Sequence, residues 1–323
     1  TLTTGRAGTL NLQATNLELS GAAQIRTSTA GSQDAGNIRL MVRDRLLLTG
    51  ADTGLFANTA VGSTGNGGNI LISAPRVEGL NRAKIAVDSQ GAGQAGDLRI
   101  EASRLTLDNQ AQLLAETSSS QGGSIFLQLR EALVLRRNSR ISTTAGTALA
   151  GGDGGNITIR SPLVIALPRE NSDITANAFN GRGGQVQITA QGIFGMVFRS
   201  RTDLERLLGQ ASLDPALLPT NDITAISQAN PTLNGAVTLN LPETSPSAGT
   251  IDVSQGLIDA NQLINQSFCR AAGGSEFTVT GRGGLPESPS DSLNNPALWE
   301  DWRLEPESVR AAEPGAVVNV SSE

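Results

Sequence analysis

The chain contains no histidine and no tyrosine, and its 323 residues include a single cysteine, Cys269. Without histidine, the usual nucleophilic triads that pair serine or cysteine with an imidazole base are excluded. One cysteine also excludes an internal disulfide framework and any metal site built from several cysteines. Cys269 follows a predicted helix and has no base nearby in sequence, so we interpret it as a small buried apolar residue rather than a reactive thiol.

Aromatic residues make up only 3% of the chain. No apolar run reaches the length of about 18 residues that a membrane-spanning helix needs, so no transmembrane segment is predicted. The formal net charge is −6 and no basic run is present. Nucleic acid is therefore not expected as a partner, because phosphate neutralisation dominates that affinity. Glycine is abundant, at 37 residues, which is typical of many short strands joined by tight turns.

One short pattern recurs along most of the sequence. It consists of a glycine, a small polar residue and then alternating apolar and polar positions, as in Gly155-Asn156-Ile157-Thr158-Ile159. The first apolar residues of the copies stand at 10, 38, 70, 98, 125, 157 and 186, in steps of 28, 32, 28, 27, 32 and 29. A sustained period near 29 residues indicates a repeat architecture in which each unit packs on its neighbours.

Two further apolar patches follow each glycine-led patch. The second is a Leu-x-Leu patch, as in Leu105-Thr106-Leu107, and the third begins at an apolar residue such as Ile85 or Leu113. Period-two alternation over about four to six residues predicts half-buried strands. Three strands per repeat without a helix predict an all-β fold. We expect a right-handed single-stranded parallel β-helix with three strands per coil and about 29 residues per coil.

In such a helix each strand pairs with its counterpart one coil away, at about 4.8 Å along the axis. Glycine- and asparagine-rich joints, such as residues 62–68, are expected to supply the positive φ angles of the corners. The alternative all-β interpretation is a sandwich of hairpins, which predicts turns every ~8–12 residues but no long period. The β-helix instead predicts one internal apolar column, formed by Ile38, Ile70, Leu98, Ile125, Ile157 and Val186.

The repeat divides the chain into a β-helix over 1–258, a cap over 259–284 and a Pro/Ser-rich tail over 285–323. Within the β-helix, residues 199–220 are interpreted as an insertion, because residues 221–225 copy residues 172–176. The insertion carries a predicted N-capped helix from Thr202 to its end at Gly209. Final strands are expected at 235–239 and 249–253. The cap should contain a helix at 259–268 and a strand at 276–280 that cover an aggregation-prone coil end.

These coils resemble the shaft of filamentous-haemagglutinin-like exoproteins of two-partner secretion in Gram-negative bacteria. The Gly-Gly-Asn-Ile-x-Ile coils, the Leu-x-Leu patch and the third strand carry the resemblance along nearly the whole chain. A narrower signature resembles the distal end of large members of the family. It consists of Ile174-Thr175-Ala176, Gly192-Ile193-Phe194-Gly195 and Phe277-Thr278-Val279-Thr280-Gly281-Arg282-Gly283-Gly284-Leu285-Pro286.

The resemblance implies a secreted protein at the cell surface of a Gram-negative bacterium, exported through an outer-membrane two-partner-secretion transporter. The family's N-terminal secretion domain has no counterpart in this sequence. We therefore expect the chain to be a piece of a longer protein, and the transporter to recognise a segment that lies outside it. The resemblance further implies a cell-surface glycan or protein receptor.

Two glycine-rich stretches match binding motifs by their letters alone. Residues 91–96 have the spacing of a dinucleotide fingerprint, but that motif must follow a strand and open a helix. Here another glycine-led strand follows, so we interpret the stretch as a corner loop. Residues 151–156 are similar to a turn of a calcium-binding β-roll, which requires the nonapeptide in tandem copies. One copy does not form a site.

Asp88 and Glu116 share a phase three places after the lead residue of the third strand. We expect both to project outward from adjacent coils, roughly 5 Å apart by strand spacing, on the side that Lys84 also faces. Paired carboxylates at that separation suit retaining glycoside hydrolysis. The alternative is a solvated face, since aromatic platforms for sugars are scarce there. The equivalent positions hold ordinary polar residues, namely Ser28, Asn58, Thr144 and Asn177.

Trp299 and Trp302 are the only tryptophans. They could anchor a partner or a glycan, or pack the tail back onto its own body. The insertion helix is expected to place Leu204, Leu207 and Leu208 on one face, against the flank of the coil or against a partner. The sequence thus predicts no catalytic, cofactor-binding or metal-binding residues. It favours a non-enzymatic adhesive shaft over a polysaccharide-degrading enzyme or a glycan-binding module.

Overall fold

The computed structural model describes residues 7–209 and 212–242. These residues form a parallel β-solenoid of about seven turns, with about 29 residues per turn. Every strand pairing among them is parallel. The predicted all-β class and the parallel coil are confirmed.

Nineteen short strands and one α-helix build the described residues, together with two 3₁₀ turns at Pro215–Leu217 and Pro231–Leu233. The helix is α1 (Arg201–Leu208). In chain order the strands are β1 (Leu10–Ser20), β2 (Gln24–Arg26), β3 (Ile38–Thr49), β4 (Gly54–Phe56), β5 (Ile70–Ser73), β6 (Arg76–Leu80), β7 (Lys84–Ala86), β8 (Leu98–Asp108), β9 (Gln112–Leu114), β10 (Ile125–Leu135), β11 (Arg140–Ser142), β12 (Ile157–Arg160), β13 (Leu163–Ala166), β14 (Asp173–Thr175), β15 (Gln185–Thr189), β16 (Gly192–Phe194), β17 (Val197–Phe198), β18 (Asp222–Thr224) and β19 (Ala236–Asn240).

The strands form two sheets. The larger has eleven strands and runs β1-β3-β5-β8-β10-β12-β15-β19, with β6, β13 and β16 beside this path. The smaller has eight strands and runs β17-β18-β14-β11-β9-β7-β4-β2. We call the smaller one the third-strand sheet, because it contains the third strand of each coil. The isolated bridges that follow the third strands also form a ladder, through Thr29, Thr59, Ser89, Thr117, Ala145, Ala178 and Ser227.

The first and second strands of a coil are continuous in β1, β3, β8 and β10, whereas the sequence predicted two separate strands. A register shift marks the bend in β10, between Leu129 and Ala132. Two of the coils in which the strands do separate carry Pro75 or Pro162 at that bend. Proline has no N–H to donate to the ladder, so pairing stops there.

The core is a set of aliphatic columns inside the coil. The predicted column is confirmed by register, because Ile38, Ile70, Leu98, Ile125, Ile157 and Val186 pair successively. Each of these side chains is at most 1% exposed. Full burial of such a side chain contributes about 1.5–3 kcal/mol. The third strands add a second column, formed by Leu55, Ile85, Leu113, Ile141, Ile174 and Ile223.

The repeated glycines serve close approach between coils rather than corner geometry. A Cβ on Gly155 would lie 1.7 Å from the carbonyl oxygen of Gly123, and one on Gly123 would lie 1.8 Å from that of Gly96. In residues 62–68 only Gly62 has a positive φ, of 81°. This joint therefore supplies one positive φ angle, at Gly62, and its other glycines serve close approach instead.

Most of the positive φ angles at the corner between the second and third strands belong to non-glycine residues, although Gly21, Gly50 and Gly195 also have them. Asn81 and Arg82 occupy this corner in one coil, and Asn109 and Gln110 occupy it in the next. Asn81 and Asn109 also hydrogen-bond to each other across coils, with the Asn109 amide donating to Asn81 Oδ1 at 2.9 Å. Asparagine tolerates this region because its short polar side chain bonds locally, which offsets the strain.

The segment between β17 and β18 leaves the coil and folds onto its flank. Ser200 is the N-cap of α1 and forms a capping box with Asp203, and Gly209 is the C-cap. The helix therefore begins before Thr202, where the sequence pattern placed its cap. Leu204 is fully buried and packs with Leu213 and Ile226, and Leu208 and Leu218 lie at the edge of this small core. Leu207, predicted on the same face, is 47% exposed.

The order of β17 and β18 in the third-strand sheet is the reverse of their order in the chain. Although β17 precedes the insertion, it lies outside β18, which pairs with β14 on its other edge. Ile223 pairs with Ile174, and Val197 pairs with Asp222. Arg199 Nε forms an ion pair with the buried Asp222 carboxylate at 3.0 Å. Both ends of the insertion are thus held in the same sheet.

Several sequence predictions fall outside the described residues. These are the strand at 249–253, the cap at 259–284, the tail at 285–323, Cys269 and the two tryptophans. Within the described residues, no helix is long and apolar enough to span a membrane.

Candidate functional site

The outward face of the third-strand sheet carries the chemistry of the described coils. Strand alternation sends every second side chain of this sheet away from the core. Three outward columns result from the registers. They are Lys84-Gln112-Arg140-Asp173-Asp222, then Ala86-Leu114-Ser142-Thr175-Thr224, then Asp88-Glu116-Thr144-Asn177-Ile226. The charged positions differ from coil to coil, whereas the inward column stays aliphatic.

The first coils of this face form an apolar patch. Phe56, Ala86 and Leu114 pack together and are at most 8% exposed although they point outward. The guanidinium of Arg26 lies 5.3 Å from the centroid of the Phe56 ring, within the range of a cation–π contact. Further along the axis, Ser142 and Thr175 occupy the column that Ala86 and Leu114 fill here.

Asp88 and Glu116 lie in adjacent coils, but they are already engaged. Asp88 Oδ1 accepts a hydrogen bond from the Glu116 backbone N–H at 3.0 Å. The Glu116 carboxylate accepts from Ser142 Oγ and forms an ion pair with Arg140 Nη2 at 3.5 Å. Burial and then the nearby Glu116 charge raise the pKa of Asp88 to about 7, while Arg140 and Lys84 oppose the shift. Asp88 therefore acts as a rung between two coils.

A cleft opens on this face where the insertion folds back. It has a volume of about 360 Å³. Its floor includes Arg140, Asp173 and Thr175, and Glu116 closes the end nearer the first coils. One wall is the loop that carries Leu149, and the other is the insertion that carries Asp214. The loop that carries Leu149 and the insertion both contain residues that the shortest repeat lacks. Without these extra residues, the outward face of the third-strand sheet would be open here.

Asp173 is the most perturbed carboxyl of the cleft. It is 3% exposed, and its Oδ1 accepts from the Asp222 backbone N–H at 2.8 Å. Burial raises the pKa of Asp173 to about 7, and the charges of Asp222 and Asp214 add to the rise, while the Asp222 N–H and Arg140 oppose it. Asp222 is itself paired with Arg199. Among the described residues, neither Asp173 nor Asp214 forms an ion pair.

Sequence reasoning named Glu116, Thr144 and Asn177 for this face, and all three line the cleft. It missed Arg140, Asp173 and Asp214. The sequence did contain a signal for Arg140 and Asp173. Each occupies the outward position directly before the lead residue of a third strand, and this position is Lys84 in an earlier coil and an aspartate in the last two. Asp214 could not be found this way, because it lies in the insertion.

The two glycine-rich stretches belong to the coil. A Cβ on Gly91 would lie 2.0 Å from the Ser63 carbonyl oxygen, and Gly96 leads into strand β8 rather than a helix. In the second stretch, Asp153 Oδ1 accepts from the Arg182 N–H at 2.7 Å, and Asn156 Oδ1 accepts from the Gln185 N–H at 3.0 Å. These side chains cap backbone donors of the next coil. Among residues 7–209 and 212–242, no cluster of three acidic, cysteine or histidine side chains could hold a metal ion.

The fold and the cleft define a class: a parallel β-solenoid whose aliphatic columns are continuous and whose outward face is closed locally by an inserted segment. Comparison with protein-family models gave no match. Comparison with curated proteins and with solved structures gave none either.

Proposed function

We propose that this chain is a segment of the shaft of a large secreted exoprotein of the filamentous-haemagglutinin-like type, at the surface of a Gram-negative bacterium. Its role is to be stiff and protease-resistant, and to present loops for adhesion to cells or within a biofilm. The proposed role is non-enzymatic. The observation that carries it is the unbroken set of apolar columns through about seven coils.

The hydrogen bonding of the coils supports the proposed stiffness of the shaft. The strands pair along the solenoid axis, so an extension of the rod acts on many backbone hydrogen bonds together. Hydrogen bonds from backbone N–H groups to side chains of the preceding coil add further links along the axis. Asn37 Oδ1 accepts from the Asn69 N–H, Asn69 Oδ1 from the Asp97 N–H and Asp97 Oδ1 from the Ser124 N–H, at 2.7–3.0 Å. These hydrogen bonds lie at the solvent-exposed corner before each glycine-led strand, and each one links the backbone of a coil to a side chain of the coil before it.

The engagement of Asp88 and Glu116 favours this role over glycan hydrolysis by that pair. Retaining hydrolysis needs one carboxylate free to attack and the other free to donate a proton. Asp88 is bound to the Glu116 backbone, and the Glu116 carboxylate is bound to Ser142 and Arg140. We expect no hydrolysis of polysaccharides that depends on these residues. A glycan-hydrolysis screen that loses activity in both Asp88→Asn and Glu116→Gln would contradict this.

Limited trypsin digestion tests the shaft. Arg206 lies in the insertion helix with a side chain that is 71% exposed, whereas Arg99 and Arg104 lie in a coil strand with side chains 54% and 56% exposed. The three side chains are all well exposed, but only Arg99 and Arg104 lie in a strand that is paired with neighbouring coils. The three sites can therefore be compared directly, because proteases cut backbone that unfolds locally. We expect cleavage after Arg206 long before cleavage after Arg99 or Arg104. Early cleavage throughout residues 10–189 would contradict a stiff shaft.

Export and location are tested in the producing cell. The proposed transporter would recognise a segment outside this chain, and its gene is expected beside the parent gene. Antibodies raised against the described coils should label intact cells, and protease added outside should remove that label. Labelling only after the cells are broken open would contradict the proposed location.

A further inference from the structure

The cleft of the third-strand sheet contains an uncompensated negative charge. Four charged side chains line it: Glu116, Arg140, Asp173 and Asp214. Glu116 and Arg140 neutralise each other through their ion pair. Asp173 and Asp214 remain, and neither has a cationic partner among the described residues. An ammonium group placed between these two carboxyl groups would be attracted to both, so the pair favours a ligand that brings a positive group.

The two carboxyl groups come from different parts of the fold and meet at the cleft. Asp173 begins β14 on the floor and is 3% exposed. Asp214 is exposed on the insertion wall, where its Oδ1 caps the 3₁₀ turn by accepting from the Ala216 N–H at 3.0 Å. The wall is held in place by the packing of Leu213 against Leu204 and Ile226. The site is therefore built before any ligand arrives.

The rest of the lining suits a hydroxylated ring. Thr144, Thr175, Asn177 and Gln228 supply hydroxyl and amide groups. Phe179 and Leu149 supply apolar surface on the opposite wall. Leu149 is 69% exposed and has a φ of 59°, a strained value for a residue with a side chain. The third strands pair along the axis, so the floor offers no free sheet edge to a peptide strand.

We propose that this cleft binds an amino sugar of a polysaccharide, with its ammonium group between Asp173 and Asp214 and its hydroxyl groups on the threonine and amide side chains of the floor. The inference deepens the proposed adhesive role and rests on it for its biological meaning. The binding itself does not depend on export or on rod stiffness.

Binding is coupled to a proton in this arrangement. Below a pH of about 7 the Asp173 carboxyl holds a proton, because burial and its acidic neighbours Asp222 and Asp214 outweigh Arg140. An ammonium group placed beside Asp173 stabilises the carboxylate, so the proton leaves when the ligand binds.

Isothermal titration of the purified chain with a glucosamine oligomer tests the proposal, at a pH of about 5, roughly two units below the pKa of Asp173, where the amino groups of the oligomer are fully protonated. Titration in two buffers of different ionisation heat counts the protons released. We expect binding with proton release. Asp214→Asn should weaken binding by about tenfold or more, and Asp173→Asn should weaken it and abolish the proton release. Both asparagines keep the hydrogen bonds that hold the fold.

The controls separate charge from shape. Asp52→Asn removes an exposed carboxylate at a distant corner and should leave the affinity unchanged. An N-acetylglucosamine oligomer of equal length lacks the positive charge and should not bind. Equal binding of that neutral oligomer, equal binding of a lysine oligomer, or unchanged affinity in Asp214→Asn would each overturn the proposal. Absence of binding with resistance to trypsin intact would reject the ligand and leave the shaft standing.

Discussion

The inward and outward faces of the third-strand sheet are made by alternate residues of the same strands, yet they differ in what they tolerate. Inward, every coil supplies Leu or Ile to one buried column. Outward, the neighbouring position changes from Lys84 to Gln112, Arg140, Asp173 and Asp222. The stacking of coils constrains only the face that must exclude water. The outer face is free to differ from coil to coil, so a single site can occur on a repetitive scaffold.

The largest effect is expected where coils touch through backbone alone. Gly155→Ala places a Cβ 1.7 Å from the Gly123 carbonyl oxygen, and no side-chain rotation relieves that contact. We expect a loss of about 5 kcal/mol in unfolding free energy, or no folding at all. Gly151→Ala is the matched control, since nothing lies within 4 Å of its Cβ position. Urea unfolding followed by circular dichroism measures both, and similar losses in both would refute the close-approach explanation.

A direct test of the two faces uses neighbouring residues of β9. Leu113→Ala empties part of the inward column and should cost about 4 kcal/mol. Gln112→Ala changes the outward face of the same strand and should stay within about 0.5 kcal/mol. Equal shifts of the urea midpoint in the two variants would contradict the claim that only the inward face is constrained by stacking.

The buried acid of the outward face predicts a pH effect of intermediate size. The pKa of Asp173 in the folded chain is raised to about 7 from 3.8. A raised carboxyl pKa contributes stability below the unfolded value, and that contribution is lost as pH rises from about 4 to about 7. Asp173→Asn should therefore be more stable than the parent by on the order of 3 kcal/mol at a pH of about 8. The two chains should differ little at a pH of about 4. If the difference in unfolding free energy between the two chains were the same at both pH values, ionisation of Asp173 could not be its cause.

The smallest effect concerns the insertion that closes the cleft. Ser200→Ala removes the N-cap of α1 and should cost about 1 kcal/mol. The loss should appear as faster trypsin cleavage at Arg206, with the coils unchanged. Thr202→Ala, at the exposed position where the sequence pattern placed the cap, should be neutral or slightly stabilising because alanine is the better helix former. The opposite ranking of these two variants would restore the sequence interpretation of the helix start.

The repeat made the coil predictable from the sequence, but it carried no information about how the inserted segment folds. The spacing of Ile70, Leu98 and Ile125 determined the coil and its column, because stacking equivalent residues is the way for each coil to bury its apolar side. The helix start was misplaced although the sequence held the signal: Ser200 stands three residues before Asp203, the spacing of a capping box. The cleft was not predictable. Its second carboxylate, Asp214, reaches the coil only through the packing of Leu204, Leu213 and Ile226, which no periodicity records.

The position of β17 outside β18 has a consequence for how this part of the solenoid unfolds. Among the described residues, β18 is paired on both edges and β17 on one, so we expect this part of the third-strand sheet to open first at residues 197–198. The insertion would then stay attached through β18, which pairs with β14, and we expect it to loosen before the inner coils unfold. We therefore expect the inserted segment to loosen first while the coils before it stay folded.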